Sequence, residues 1–340
     1  MKVSFVVIAY NAGDKLSNLL KDIEMQDYIH KEVEIILVDS NSTDNTKEIM
    51  LNFKNKLNDF KKVLVLDNPK KVLPSGWNIA LKASKGNIII RVDAHSSIPN
   101  NFITKNIKRI EEGEMIVGGH RISICHKEDS WQNTLLIAEK SIFGSGIARY
   151  RREEAESYVN TLAHAAYRRE VFKTIGGYDE RLYRTEDNDI HYRMKKAGYR
   201  FLLDPTIISY HHVRCSLRKI IKQKFLNGYW IGLTLGVQPK CFSVYHFIPL
   251  LFVIAIISFI IIGIIKSYVP LIILIGIYSL FIIINTIFSI RSEKKHWSLV
   301  LLPDIFFLLH IAYGFGTLYG LIKLPLWLKK NRKFIYPKIV

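Results

Sequence analysis

A chain of 340 residues can bury one substantial core with length left for a second element, which excludes a single stapled mini-domain. Its net charge of +18 is unevenly spread: beyond Asp204, only Glu293 and Asp304 stand against sixteen Lys and Arg. The basic excess therefore flanks the apolar C-terminal region, as in segments facing an anionic leaflet, and this argues against a nucleic-acid partner, which needs basic residues grouped on one folded surface.

The opening Lys2 to Tyr10 is apolar but short, and it runs into Asn11, Gly13 and Asp14 with no small-residue cleavage site, so it reads as a first strand. Up to about residue 212, Val- and Ile-rich runs alternate with helix-period segments, the pattern of a parallel sheet with covering helices. Strands are expected at Val3–Ala9, Val33–Val38, Lys62–Leu66 and Asn87–Val92. Leu16, Leu19, Leu20 and Ile23 form one helical stripe between the first two, and Pro74 and Ser75 open a helix carrying Trp77, Ile79, Ala80 and Leu81. Arg149 to Tyr158 reads as a charged, mobile loop. Three cysteines without CxxC or metal-ligand spacing, Cys125, Cys215 and Cys241, suit a reducing compartment.

Ser216–Gly236 mixes Arg218, Lys219, Lys222 and Lys224 with Leu, Ile, Phe, Tyr and Trp, the composition of a basic amphipathic helix lying in a membrane interface. Phe247–Ile265 and Tyr268–Ile290 are each long and apolar enough to cross a bilayer core of about 30 Å. Arg291, Lys294 and Lys295 on one side and the basic helix on the other place both ends of this hairpin in the cytoplasm. A third apolar stretch, Ile305–Ile322, is interrupted by His310, Gly314, Gly316 and Gly320 and precedes a basic tail, which favours a re-entrant or surface-lying element. The divisions expected are 1–212 as a soluble domain, 213–245 as interface helix and linker, and 246–340 as membrane region.

Ligands of open α/β sheets gather beyond the carboxyl ends of the strands. Tyr10 and Asn11, the run Asp39 to Thr46, and Asp93-Ala94-His95 lie there. In an extended segment Asp93 and His95 point the same way and could share a divalent cation, Mn²⁺ or Mg²⁺; a capping Asp beside a solvent-facing His is the ordinary alternative. Glu186, Asp187 and Asp189 open a helix, where acids are favoured by the helix dipole alone or, functionally, as a general base.

Val6-Val7-Ile8-Ala9-Tyr10-Asn11, Val38-Asp39-Ser40-Asn41-Ser42-Thr43-Asp44, Val92-Asp93-Ala94-His95, Gly176-Gly177-Tyr178-Asp179-Glu180 and Thr185-Glu186-Asp187-Asn188-Asp189, in that order, resemble the blocks of the family 2 glycosyltransferases. The resemblance implies an α/β domain of the GT-A fold, Rossmann-like, followed by an α-helical membrane region, and an inverting transfer from a nucleotide-sugar donor. It further implies donor contacts from Ala9, Tyr10, Asn11, Asp39, Asp44, Lys71, Arg91, Asp93 and His211. Asp187 would be the base, Glu186 and Trp230 would meet the acceptor, and Asp93, His95 and His211 would ligate the metal. His95 stands where the family usually has a second acid, and the processive Q-x-x-R-W motif is replaced by Gln223-Lys224-Phe225-Leu226-Asn227-Gly228-Tyr229-Trp230, which argues for single-sugar transfer. The Asp93-Ala94-His95 variant and Tyr313-Gly314-Phe315-Gly316 look like the succinoglycan-type enzymes, so a lipid-linked saccharide acceptor and a multi-pass cell-membrane location with a cytoplasmic catalytic domain are expected. A polyprenyl-phosphate sugar synthase, a silent nucleotide-sugar-binding membrane protein and, last, a transporter are the competing readings.

Overall fold

The computed structural model describes residues 2–56, 59–125, 129–152, 155–213, 216–291, 296–331 and 334–339. Cys215, Glu293, Lys294 and Lys295 lie outside them. In chain order the elements are β1 (Val3–Ala9), α1 (Gly13–Glu24), β2 (Val33–Asp39), α2 (Thr46–Asn55), β3 (Lys62–Asp67), α3 (Leu73–Ala83), β4 (Ile88–Asp93), β5 (Ser96–Ser97), α4 (Phe102–Glu111), β6 (Ile116–Ile124), α5 (Ser130–Lys140), β7 (Ser157–Val159), β8 (Ala165–Arg168), α6 (Arg169–Ile175), α7 (Glu186–Lys196), β9 (Phe201–His212), α8 (Leu217–Thr234), α9 (Ile248–Ile265), α10 (Val269–Ile290) and α11 (Leu302–Lys330). The chain forms two compact units, one of residues 1–124, 148–212 and 333–340, the other of 125–147 and 213–332. Two segments thus join units that a linear division at 212 does not assign them to.

In the first unit the strands run in the order β3-β2-β1-β4-β8-β6-β9-β5, with β7 on β9. β1, β2, β3 and β4 are parallel neighbours, while β8 is antiparallel to β4 and β6. Every residue of β1 and β2 is buried, as continuous apolar runs require when helices cover both faces of a parallel sheet. Alternation splits the core: Phe5 and Val7 pack with Leu16, Leu19, Leu20 and Ile23 on one face, and Val6 and Ile8 pack with Trp77, Ala80 and Leu81 on the other. The segment read as a mobile loop is ordered in part: Arg149–Arg151 form a 3-10 turn whose Tyr150 packs on the second core.

In the second unit α8 and α11 approach until backbone meets backbone. A Cβ on Gly228 would stand 2.1 Å from the Tyr313 carbonyl oxygen, and one on Gly316 2.0 Å from that of Phe225. The glycines that weaken Ile305–Ile322 as a simple span are therefore its packing surface, and α11 is one continuous helix. Arg218, Lys219 and Lys222 of α8 are exposed, but Lys224 is buried against the Gly144 carbonyl (2.7 Å), Ser145 Oγ (2.9 Å) and Glu139 (3.5 Å). Buried lysines of this kind are kept by such partners, so Lys224 ties the 125–147 segment to α8 rather than facing headgroups. Among the described residues, three helical stretches, Val244–Ile265, Val269–Ile290 and Trp297–Lys330, are long and apolar enough to cross a membrane.

Candidate active site

Register brings the first expected residues together, because Ala9 pairs with Asp39 across β1 and β2, and Ile8 pairs with Asp93 across β1 and β4. The loops after β1 and β2 are then stitched to each other. Asn11, in a left-handed conformation at φ +47°, donates its N–H to Ser42 Oγ (3.0 Å) and accepts from the Thr43 N–H (2.8 Å). Asp44 accepts from the Thr46 N–H (3.0 Å) and hydroxyl (2.5 Å), which together hold its carboxyl below the usual range. Thr46 Oγ1 in turn accepts from the N–H groups of Ala12 (2.8 Å) and Gly13 (3.0 Å). Asp39 is buried and both its oxygens accept from the Ser42 N–H at 3.2 Å. The loop after β3 joins this rim through Asn68, which donates to Ser40 Oγ (3.0 Å), and it carries Lys71, exposed and also at positive φ. Tyr10 and Asn11 stay exposed on the rim, the disposition a stacking base needs.

At the end of β4, Arg91 and Asp93 lie on the same strand face. Arg91 is buried over the Trp77 ring (4.4 Å), donates to Tyr178 Oη (3.1 Å), and forks onto both oxygens of Asp187 at 2.5 and 3.0 Å. The Asp187 carboxylate remains 35% exposed, so it is fixed in direction yet open on one side. Asp93, also open at 33%, lies 3.4 Å from Nε2 of the buried His164. Burial alone would raise the Asp93 carboxyl, but His164, Arg91 and Arg121 outweigh it and hold the group well below the usual carboxylate range. His164 is itself positioned by Ser96 Oγ (3.2 Å) and Ser209 Oγ (2.9 Å), and burial lowers its pKa despite Asp93.

His211 faces Ser96 across the β5–β9 pairing, and the His212 N–H donates to the His95 carbonyl (3.2 Å). Burial, then Arg121, pushes His211 well below its ordinary pKa, and its Nδ1 is buried without a hydrogen-bond partner. No group of three His, Cys, Asp or Glu side chains among the described residues is placed to hold an ion, so Asp93, His95 and His211 do not form a closed three-ligand site. A hard cation that takes one or two protein ligands and completes its shell on phosphate oxygens needs no closed cage. The Asp93 carboxylate, open on one side, suits that kind of site, whereas the His211 Nδ1 is buried on β9.

Glu186, expected at the acceptor, is only 4% exposed, and one of its oxygens has no hydrogen-bond partner. Burial first, and the adjacent Asp187 second, raise its pKa well above the ordinary value, which favours the neutral carboxyl there. Trp230 belongs to the second unit, where it packs edge to face on Trp327. Sequence reasoning did not single out His164, Tyr178 or Arg121 as site residues. Tyr178 at least stands inside a recognised block, whereas nothing short-range marks His164.

Residues 4–176 match the family described as Glycosyl transferase family 2. Among curated proteins, the succinoglycan biosynthesis protein ExoA of Rhizobium meliloti is 27% identical over 62% of this chain and 67% of its own. A Methanococcus voltae enzyme named dolichyl N-acetyl-α-D-glucosaminyl phosphate 3-β-D-2,3-diacetamido-2,3-dideoxy-β-D-glucuronosyltransferase is 25% identical over 94% of this chain and 97% of its own. Among solved structures, the mannosyltransferase PcManGT from Pyrobaculum calidifontis, in complex with GDP-Man and Mn²⁺, aligns over 94% of this chain and 87% of its own with a TM-score of 0.64 and 16% identity, a likeness of fold.

Proposed function

This chain belongs to glycosyl transferase family 2, and from that premise we propose that it moves one sugar from a nucleoside-diphosphate sugar to a lipid-linked saccharide at the cytoplasmic face of a membrane. The observation that carries the reading is the Asp187 carboxylate, left half open and forked by Arg91, which lies two residues before Asp93 on β4. Each carboxylate oxygen keeps lone pairs beyond the one that Arg91 occupies, so Asp187 can accept the proton of an acceptor hydroxyl. The acceptor hydroxyl oxygen, as it gives up that proton, bonds to the anomeric carbon from the face opposite the diphosphate, which leaves with the bonding pair, and the configuration inverts. Asp39 and the Tyr10–Asn11 rim are suited to hold the base and ribose. A divalent cation, Mn²⁺ or Mg²⁺, held through Asp93 would neutralise charge on the departing diphosphate.

The lipid-linked acceptor is supported by the Methanococcus voltae relative, whose name describes such an acceptor and which aligns with 94% of this chain. The three apolar helices support a multi-pass cell-membrane location that confines enzyme and acceptor to one surface, which raises the acceptor's effective concentration. The test is to incubate membranes containing wild type or Asp187→Asn with a panel of labelled nucleotide sugars plus Mn²⁺ and follow label into the lipid fraction. Incorporation from one donor, lost in the variant, is expected; binding of a donor with no incorporation from any would replace the reading with that of a silent binding protein.

A further inference from the structure

Residues 334–339 follow α11 in sequence, yet they belong to the first unit. Their contacts converge on the elements around Asp187. The Pro337 carbonyl accepts the Gly177 N–H (2.7 Å), and Gly176, at φ +76°, leaves room for it: a Cβ there would stand 3.0 Å from that oxygen. Ile339 is buried in the core cluster that contains Trp77, Tyr178, Ile190 and Met194. Phe334 lies under the Arg181 guanidinium (4.4 Å) and Tyr336 under that of Arg193 (4.1 Å). Tyr336 Oη also donates to Asp189 Oδ1 (3.3 Å), while Arg193 Nε donates to Asp189 Oδ2 (2.9 Å).

Asp189 is fully buried in the first turns of α7, two residues beyond Asp187. Burial raises its pKa against the pull of Arg193, so each partner that satisfies its oxygens decides whether the turn stays where it is. Arg193 extends the grip by donating to the carbonyls of Ile175 (2.8 Å) and Gly177 (2.8 Å), and Tyr178, next along, touches Arg91. Both sides of the Arg91–Asp187 fork therefore rest on groups that the C-terminal segment holds.

We propose that residues 334–339 act as a strap that positions the first turn of α7 for sugar transfer, with Tyr336 and Ile339 as its positioning residues. The proposal rests on the reading of Asp187 as proton acceptor, and its test separates the two. In full-length protein, hydrogen exchange across residues 183–196 is compared among wild type, Tyr336→Phe, Tyr336→Ala and Ile339→Ala, together with donor binding and turnover for the nucleotide sugar that the panel identifies. The Ala variants should lose protection in the first turns of α7 while β1 and β4 keep theirs, and turnover should fall at least tenfold with donor affinity unchanged. Tyr336→Phe, which keeps the ring over Arg193, should recover part of both. Unchanged exchange in α7 for both Ala variants, or loss of protection spread evenly through β1 and β4, would overturn the strap. If α7 loosens as expected while Asp187→Asn retains activity, the base assignment fails and the strap stands.

Discussion

The guanidinium of Arg91 and the carboxylate of Asp187, 96 residues apart in sequence, meet in a two-pronged pair at 2.5 and 3.0 Å. A buried arginine on a central strand thereby aims a half-open carboxylate, and the planar fork leaves only one orientation for it. Asp187→Asn keeps the shape but cannot take the proton, so turnover should drop by about 10²–10⁴, the usual worth of a general base. Donor affinity should stay within about twofold, read by titration of the donor that the panel identifies. Arg91→Lys should lower turnover as well, because a point charge does not reproduce the fork.

Glu186 gives a stability signature that does not depend on activity. Its folded-state pKa is raised by burial and by Asp187, so the folded state holds a proton that the unfolded chain releases near the ordinary Glu value. The stability tied to that proton is fully present below the unfolded pKa and is lost as pH climbs towards the folded one, at up to about 1.4 kcal/mol per pH unit. Glu186→Gln mimics the protonated form. Thermal unfolding should show the variant more stable than wild type at pH 8, with the difference shrinking towards pH 4; a constant difference across that range would contradict the assignment.

Gly228 tests the α8–α11 contact through the sign of its effect. In an exposed helix, Gly→Ala stabilises by about 0.5–1 kcal/mol through backbone entropy. At Gly228 the added methyl would meet the Tyr313 carbonyl oxygen at 2.1 Å, and overpacking costs about 1–3 kcal/mol. Gly228→Ala should therefore lower the midpoint of thermal unfolding, whereas Gly276→Ala, which meets nothing within 4 Å, should leave it level or raise it.

The half of the site built on β1, β2 and β4 was readable because those strands are uninterrupted apolar runs that stop at polar residues, so Tyr10, Asp39 and Asp93 announce their own position. Asp187 was readable only through the order of blocks, since acids at a helix start have an electrostatic reason to be there anyway. His164 was not readable: its contact with Asp93 is made just beyond the end of the β4–β8 antiparallel pairing, which carries no local signal. The glycines of α11 showed only half of their role in the sequence, because a residue that weakens a lone span is also what lets two helices touch. The tail was hidden by its lysines and proline, although Phe334, Tyr336 and Ile339 supply the apolar groups that dock.

The location of that tail decides how many helices cross the membrane. Residues 1–124 and 334–339 share one unit, so the chain between them must cross an even number of times. Three apolar stretches would give an odd number and carry the tail to the far side. Undocking it would expose Ile339, at about 1.5–3 kcal/mol, and break the Pro337–Gly177 hydrogen bond, about 1 kcal/mol more. α9 and α10 carry no charged residue, whereas α11 contains Asp304 and Lys323 and packs Gly316 and Gly320 against α8, so α11 is the one expected not to cross. Single cysteines at Lys54, Ser267 and Lys338, in a background with Cys125, Cys215 and Cys241 replaced by Ser, can be probed with a membrane-impermeant maleimide. Lys54 and Lys338 positions should react only in inverted vesicles and the Ser267 position only in intact cells. Reaction of the Lys338 position from the outside, with Lys54 inside, would show three crossings and a tail that does not dock.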